Sequence, residues 1–78
     1  MRNHEVAITD FNRSITIDPR NPDAYIYRGI SLLAQLQPQR AIKDFERAME
    51  LDSESPLIYN GLGNAKRALG DLTRRFSI

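Results

Sequence analysis

Cysteine and tryptophan are both absent from this chain, and histidine occurs once, as His4. No disulfide can staple the fold and no Cys or His cluster can hold a structural metal, so stability has to come from packing or from association. The lack of disulfides fits a cytoplasmic address. An excess of one charge is lacking too: eleven Lys and Arg stand against ten Asp and Glu, a net of +1, too little to steer the whole chain toward nucleic acid or an anionic membrane. No apolar run approaches the roughly 18 residues that a membrane span needs. The opening MRNHEVAITDF has no apolar core followed by small residues, which argues against a secretory signal. At 78 residues the chain is long enough for one small domain, which buries only roughly 60 to 65% of its extended surface on folding.

Reactive constellations are also missing. His4 falls in a first helical turn, where a solvated side chain is the expectation and a general base is not. Gly61-Leu62-Gly63 lies inside an expected helix, so its glycines read as close-packing positions and not as a phosphate cradle. With no nucleophile beside a base and no metal-ligand spacing, the chain is expected to be no enzyme, with no cofactor, metal or small-molecule substrate.

What is present is a repetition. AIKDFERAMELDS at Ala41 to Ser53 nearly copies AITDFNRSITIDP at Ala7 to Pro19, with Ala7 matching Ala41, Phe11 matching Phe45 and Asp18 matching Asp52, each 34 positions apart. Pro22 with Pro56, Tyr25 with Tyr59, Gly29 with Gly63 and Ala34 with Ala68 keep the same offset. A period held without a slip in two segments marks a repeat architecture, whose units cannot bury their apolar faces alone and stack on neighbours.

The local pattern is helical throughout. Ala7, Ile8, Phe11 and Ile15 recur at spacings of three and four, predicting a helix over about His4–Ile17 that ends at Asp18-Pro19. Asn21-Pro22, Gln37-Pro38 and Ser55-Pro56 each place proline at a first helical position, where the missing N–H costs nothing. The second helix, to about Leu36, carries two apolar stripes, Tyr25, Gly29, Leu32 and Leu36 on one face and Ile26, Ile30 and Leu33 beside Tyr27 on another. The third puts Ala41, Ile42, Phe45, Ala48 and Met49 inward and Lys43, Asp44, Glu46, Arg47 and Glu50 in water, with pairs such as Asp44–Arg47 and Arg40–Asp44. The fourth, with Tyr59, Leu62, Gly63 and Leu69 inward, is expected to end at Gly70 in a left-handed cap, and Asp71–Ile78 to start another helix.

These residues resemble the tetratricopeptide repeat family, whose helix-turn-helix unit is marked by W-x2-L-G-x2-Y, then A-x3-F, then P. Tyr25, Gly29 and Leu32 followed by Ala41 and Phe45 match a whole unit, Ala7, Phe11 and Pro19 the second half of one before it, and Tyr59, Leu62 and Gly63 the start of a third. The resemblance implies an all-α fold of about four antiparallel helices stacked as a short right-handed superhelix. It implies one domain over 1–78, with half a repeat at 3–19, a complete repeat at 22–55 and an incomplete one at 56–78. Arg28 stands where the family prefers Leu, and Ser53 replaces the closing Pro. In the third unit Lys66 takes the Tyr slot and Arg75 the small Ala slot, so two cations would meet at that seam and the unit is expected to stay incomplete.

In proteins of this kind the first helix of each unit lines a concave groove that holds peptides. The resemblance therefore implies a protein or peptide partner at Ile26, Tyr27, Ile30 and Leu33, then Asn60, Asn64 and Arg67, suited to an apolar anchor with an acidic or carboxylate end. The opposing reading is that a neighbouring helix or a second copy simply covers Ile26, Ile30 and Leu33. The chaperone-tail clamp of part of the family is matched only at Asn64 and is not carried over. Unfinished ends predict self-association, as a dimer, helped by a charge split: Asp44, Glu46, Glu50, Asp52 and Glu54 against Lys43 and Arg47 leave −3 over 41–55, while Lys66, Arg67, Arg74 and Arg75 against Asp71 leave +3 over 56–78. The alternative from another class is a nucleic-acid accessory domain using that basic C-terminal segment.

Overall fold

A computed structural model describes residues 4–52 and 54–76, the last two by backbone alone. Readings that rest on Ser53, on the Arg75 side chain, and on residues 1–3 and 77–78 lie outside the described residues. Four helices follow one another: α1 (His4–Ile17), α2 (Pro22–Ala34), α3 (Pro38–Leu51) and α4 (Pro56–Phe76). Among the described residues there is no strand. Each helix packs on the next, and α2 also touches α4.

The proline start signals act as the sequence implies. Asn21 caps α2 by accepting the Asp23 N–H on its side-chain oxygen at 3.1 Å, with Pro22 at the first helical position. The α1–α2 turn is closed by the Tyr25 hydroxyl, which donates to the Pro19 carbonyl at 3.0 Å. At the end of α2, Gln37 N–H reaches the Leu32 carbonyl at 2.9 Å and Leu36 N–H the Leu33 carbonyl at 3.0 Å, the two bonds of a Schellman closure. The left-handed residue of that closure is Leu36, at φ 61°, which leaves its side chain exposed instead of in the inward stripe.

The core sits around Phe45, which is fully buried with Ile26 and Ile58, and Tyr25, Leu32, Ala41, Ala48, Leu62 and Ala65 complete it. Ile8 and Ile15 of α1 pack against that cluster. Phe45 lies between two backbones: its ring comes within 2.8 Å of where a β-carbon on Gly29 would be, and overlaps the corresponding place on Gly61. One repeat earlier the same contact is made by two rings, Phe11 stacked on Tyr27 with centroids 6.2 Å apart, since Phe11 and Tyr27 precede Phe45 and Gly61 by one period.

Several expectations are corrected. In α4 the buried face is Ile58, Gly61, Leu62 and Ala65, while Tyr59 and Gly63 are exposed, because the helix packs through the side that meets α3 of the preceding unit. Gly70 is no C-cap: no glycine has positive φ, and α4 continues through it to Phe76, so Asp71–Phe76 open no new helix. Asp44 does not point to water. It is 6% exposed and accepts from Arg28, while Arg47 pairs with Glu50 at 2.9 Å and Arg40 donates to Gln37 at 2.8 Å.

Candidate partner-binding site

Helices α2 and α4 carry equivalent positions of successive units and lie in contact. Ile26 pairs with Asn60, Ile30 with Asn64 and Leu33 with Arg67 at the repeat offset, so the seven residues implied for the groove fall in rows across two neighbouring helices. The structure divides them. Ile26 is 1% exposed and belongs to the core, so it cannot touch a partner. Its neighbours on the stripe remain accessible, Tyr27 at 44% and Ile30 at 41%, while Leu33 is half-buried against the core. Asn60, Asn64 and Arg67 are exposed on α4. Six of the seven are thus left as surface or partial surface, apolar on α2 and polar to basic on α4.

Tyr27 is held in place by its stack on Phe11, which fixes an aromatic face at the edge of this surface. Behind it, Arg28 ties three helices together. Its Nε and Nη2 donate to the two oxygens of Asp44 at 2.8 and 2.6 Å, and its Nη1 donates to the Asn12 side-chain oxygen at 2.8 Å. The hydrogen bond to Asp44 holds the Arg28 guanidinium above its ordinary pKa, against the opposing effect of burial. Two guanidinium groups approach the Tyr25 ring, Arg28 at 5.7 Å and Arg47 at 6.0 Å from its centroid. Glu50 first, and then Tyr25, also raise the pKa of Arg47. This network orients α2, and with it the exposed stripe.

A second surface escaped the sequence pattern. Leu36 and Pro38 at the α2–α3 turn, with Leu69 and Leu72 of α4, line an open recess of about 610 Å³ edged by Arg40 and Thr73. The signal was present: Ile58, Leu62, Ala65, Leu69, Leu72 and Phe76 recur at alternating spacings of four and three, an unbroken stripe that crosses Gly70 and calls for one continuous helix. Among the described residues no group of His, Cys, Asp and Glu could hold a metal ion, and no helix is long and apolar enough to cross a membrane.

Comparison with known proteins agrees with this architecture. The family profile described as Tetratricopeptide repeat matches residues 22–55. A DnaJ homolog subfamily C member 7 homolog of Dictyostelium discoideum is 36% identical over 62 residues, which cover 80% of this chain and 12% of the relative. Hsc70-interacting proteins 1 and 2 of Drosophila melanogaster are each 34% identical over 65 residues, covering 83% of this chain and 17% of the relative. The chain therefore spans only 12 to 17% of the length of these relatives. No solved structure gives a significant match. Nothing in these matches supports the nucleic-acid alternative.

Proposed function

We propose that this chain, whose residues 22–55 match the tetratricopeptide repeat family, is a non-enzymatic, cytoplasmic protein-binding module. The partner docks across α2 and α4, with Tyr27, Ile30 and Leu33 taking an apolar anchor and Asn60, Asn64 and Arg67 an acidic or carboxylate end. The observation that carries this is the exposure of Ile30 and Tyr27: two large apolar side chains stay at more than 40% accessibility on a helix whose other large apolar residues are buried or half-buried. Within this proposal α1 is the second half of one unit and α4 the first half of the next. Two relatives are named for interaction with Hsc70, and a chaperone of that class is the partner proposed here. The chain also associates with itself.

The test is direct titration of purified Hsc70 with the intact chain, beside its Ile30→Lys and Arg67→Glu variants. The proposal expects binding by the parent chain, loss of the apolar anchor's share in Ile30→Lys, and weaker, less salt-dependent binding in Arg67→Glu. Equal binding by all three places the contact elsewhere, and no binding by any removes the chaperone as partner.

A further inference from the structure

Two positions of α2 and their equivalents one repeat on, in α4, are exposed at both copies: Asp23 with Leu57, and Ile30 with Asn64. Between them the two helices meet every kind of neighbour a stacked unit has. Against α2 pack α1, α3 and, one repeat later, α4; against α4 pack α3 and, one repeat earlier, α2. Asp23 and Ile30 stay exposed with an equivalent helix after theirs, and Leu57 and Asn64 with one before theirs, so a longer stack leaves all four accessible. The pair Ile26 and Asn60 differs, since its first member is buried.

The four side chains form crossed diagonals, Ile30 and Leu57 apolar on one and Asp23 and Asn64 polar on the other. Helices α2 and α4 each join α3 through a short turn and pack on it, so they run in the same direction. Leu57 is level with Asp23, seven residues before Ile30. A helical rise of about 10.5 Å and an interaxial spacing of about 8–10 Å therefore put the two apolar side chains about 14 Å apart. An extended strand spaces the side chains of one face about 6.6 Å apart, so its residues i and i+4 match that diagonal at about 13 Å. A helical ligand does not match, because about nine residues cover the distance in about two and a half turns, which sends the two side chains to opposite faces. The surface is also polar from end to end. At the N-terminal ends of α2 and α4, Asp23, Asp52 and Glu54 are exposed, while Asp18 and Arg20 offset each other. Toward the C-terminal ends stand Arg40, Lys66 and Arg67, and Asp71 there is engaged by Arg74 at 3.8 Å.

From this geometry we propose that the segment docking across α2 and α4 is extended and sets two apolar side chains, four residues apart, on Leu57 and Ile30. A basic residue lies beyond its Leu57 end, near Asp23, and an acidic residue beyond its Ile30 end, toward Arg67. This rests on the docking proposed above and adds Leu57 and Asp23 to it, as the residues that set register and polarity.

The test titrates the full chain with the capped peptide Lys-Ser-Leu-Ser-Thr-Ser-Leu-Ser-Glu, whose lysine, leucines and glutamate share one face of an extended chain. Its control exchanges the second leucine with the serine before it. The first peptide is expected to saturate the parent chain and the control to bind at least about tenfold more weakly, a comparison that needs no variant. Leu57→Ser, checked for folding by circular dichroism, is expected to bring the first peptide down to the level of the control. Lysine in place of the peptide's glutamate is expected to weaken binding, and Arg67→Glu to recover it. Absent binding, equal binding of the two spacings, a Leu57→Ser chain that keeps the preference, or a charge exchange without recovery overturns the proposal. Titration of Hsc70 separates this from the reading it rests on. Chaperone binding that Ile30→Lys weakens and Leu57→Ser leaves unchanged overturns the register and keeps the docking surface, whereas binding that neither changes removes both.

Discussion

Phe45 occupies with its ring the place where a β-carbon on Gly61 would stand, so α3 and α4 approach each other across a glycine that has no room for a methyl group. Gly63, two residues on, is open to solvent. Alanine at the two positions should therefore act with opposite sign. Gly61→Ala forces the Phe45 ring or the helix to shift, which costs about 1–3 kcal/mol by overpacking and outweighs the gain in helix propensity. Gly63→Ala, measured at low concentration, should stabilise by about 0.5–1 kcal/mol. Urea melts of both variants decide it, and equal signs contradict the packing described.

Ile26 and Ile30 are one turn apart on α2, yet one is buried and the other 41% exposed. Ile26→Ala should cost about 2–5 kcal/mol as a core truncation. Ile30→Lys should change stability by less than about 1 kcal/mol, as surface substitutions do. A melt in which Ile30→Lys unfolds as readily as Ile26→Ala makes Ile30 part of the core and removes it from the groove.

Arg28 and Asp44 form a two-pronged pair with the Asp44 side chain 8% and the Arg28 side chain 23% exposed. Asp44→Ala leaves Arg28 without its partner and should cost about 2 kcal/mol, less than the roughly 3–5 of a fully buried pair because Arg28 still reaches water. Adding Arg28→Leu should recover most of that loss, since an apolar side chain there needs no partner. The pKa of Arg28 is raised in the folded state, so its contribution is full below the unfolded value and fades only as pH rises through the folded one. Both lie far above neutrality, and this arginine gives no pH dependence between about pH 5 and 9. A double-mutant cycle with no coupling contradicts the pairing.

Gly70 separates two accounts of α4. In a continuous helix, Gly70→Ala should stabilise by about 1 kcal/mol, which for a chain of this size raises Tm by about 4–8 °C. In a left-handed cap the same change would destabilise, because alanine resists positive φ.

The repeat offset carried most of the fold. Helix starts at Pro22, Pro38 and Pro56 and the central place of Phe45 follow from local chemistry and the 34-residue period alone. The offset misled where equivalent positions have different neighbours. Gly63 copies Gly29 in register, but none of the described residues packs over it, and Gly61, which copies Tyr27, takes the close contact with Phe45 instead. Ile26 was misplaced because a helix apolar on two faces does not disclose which face a neighbour covers. Asp44 looked like one charge among many, since its partner Arg28 lies 16 residues away and the pairing depends on how α2 meets α3.

The proposed docking of a partner across α2 and α4 is tested most directly by calorimetric titration of the proposed chaperone partner with the parent chain and with Ile30→Lys, both shown to be folded. The account predicts saturable binding by the parent chain and at least about a tenfold loss in the variant, the scale expected for an apolar anchor. Binding of equal strength by both would contradict it, because the exposed stripe of α2 would then contribute nothing.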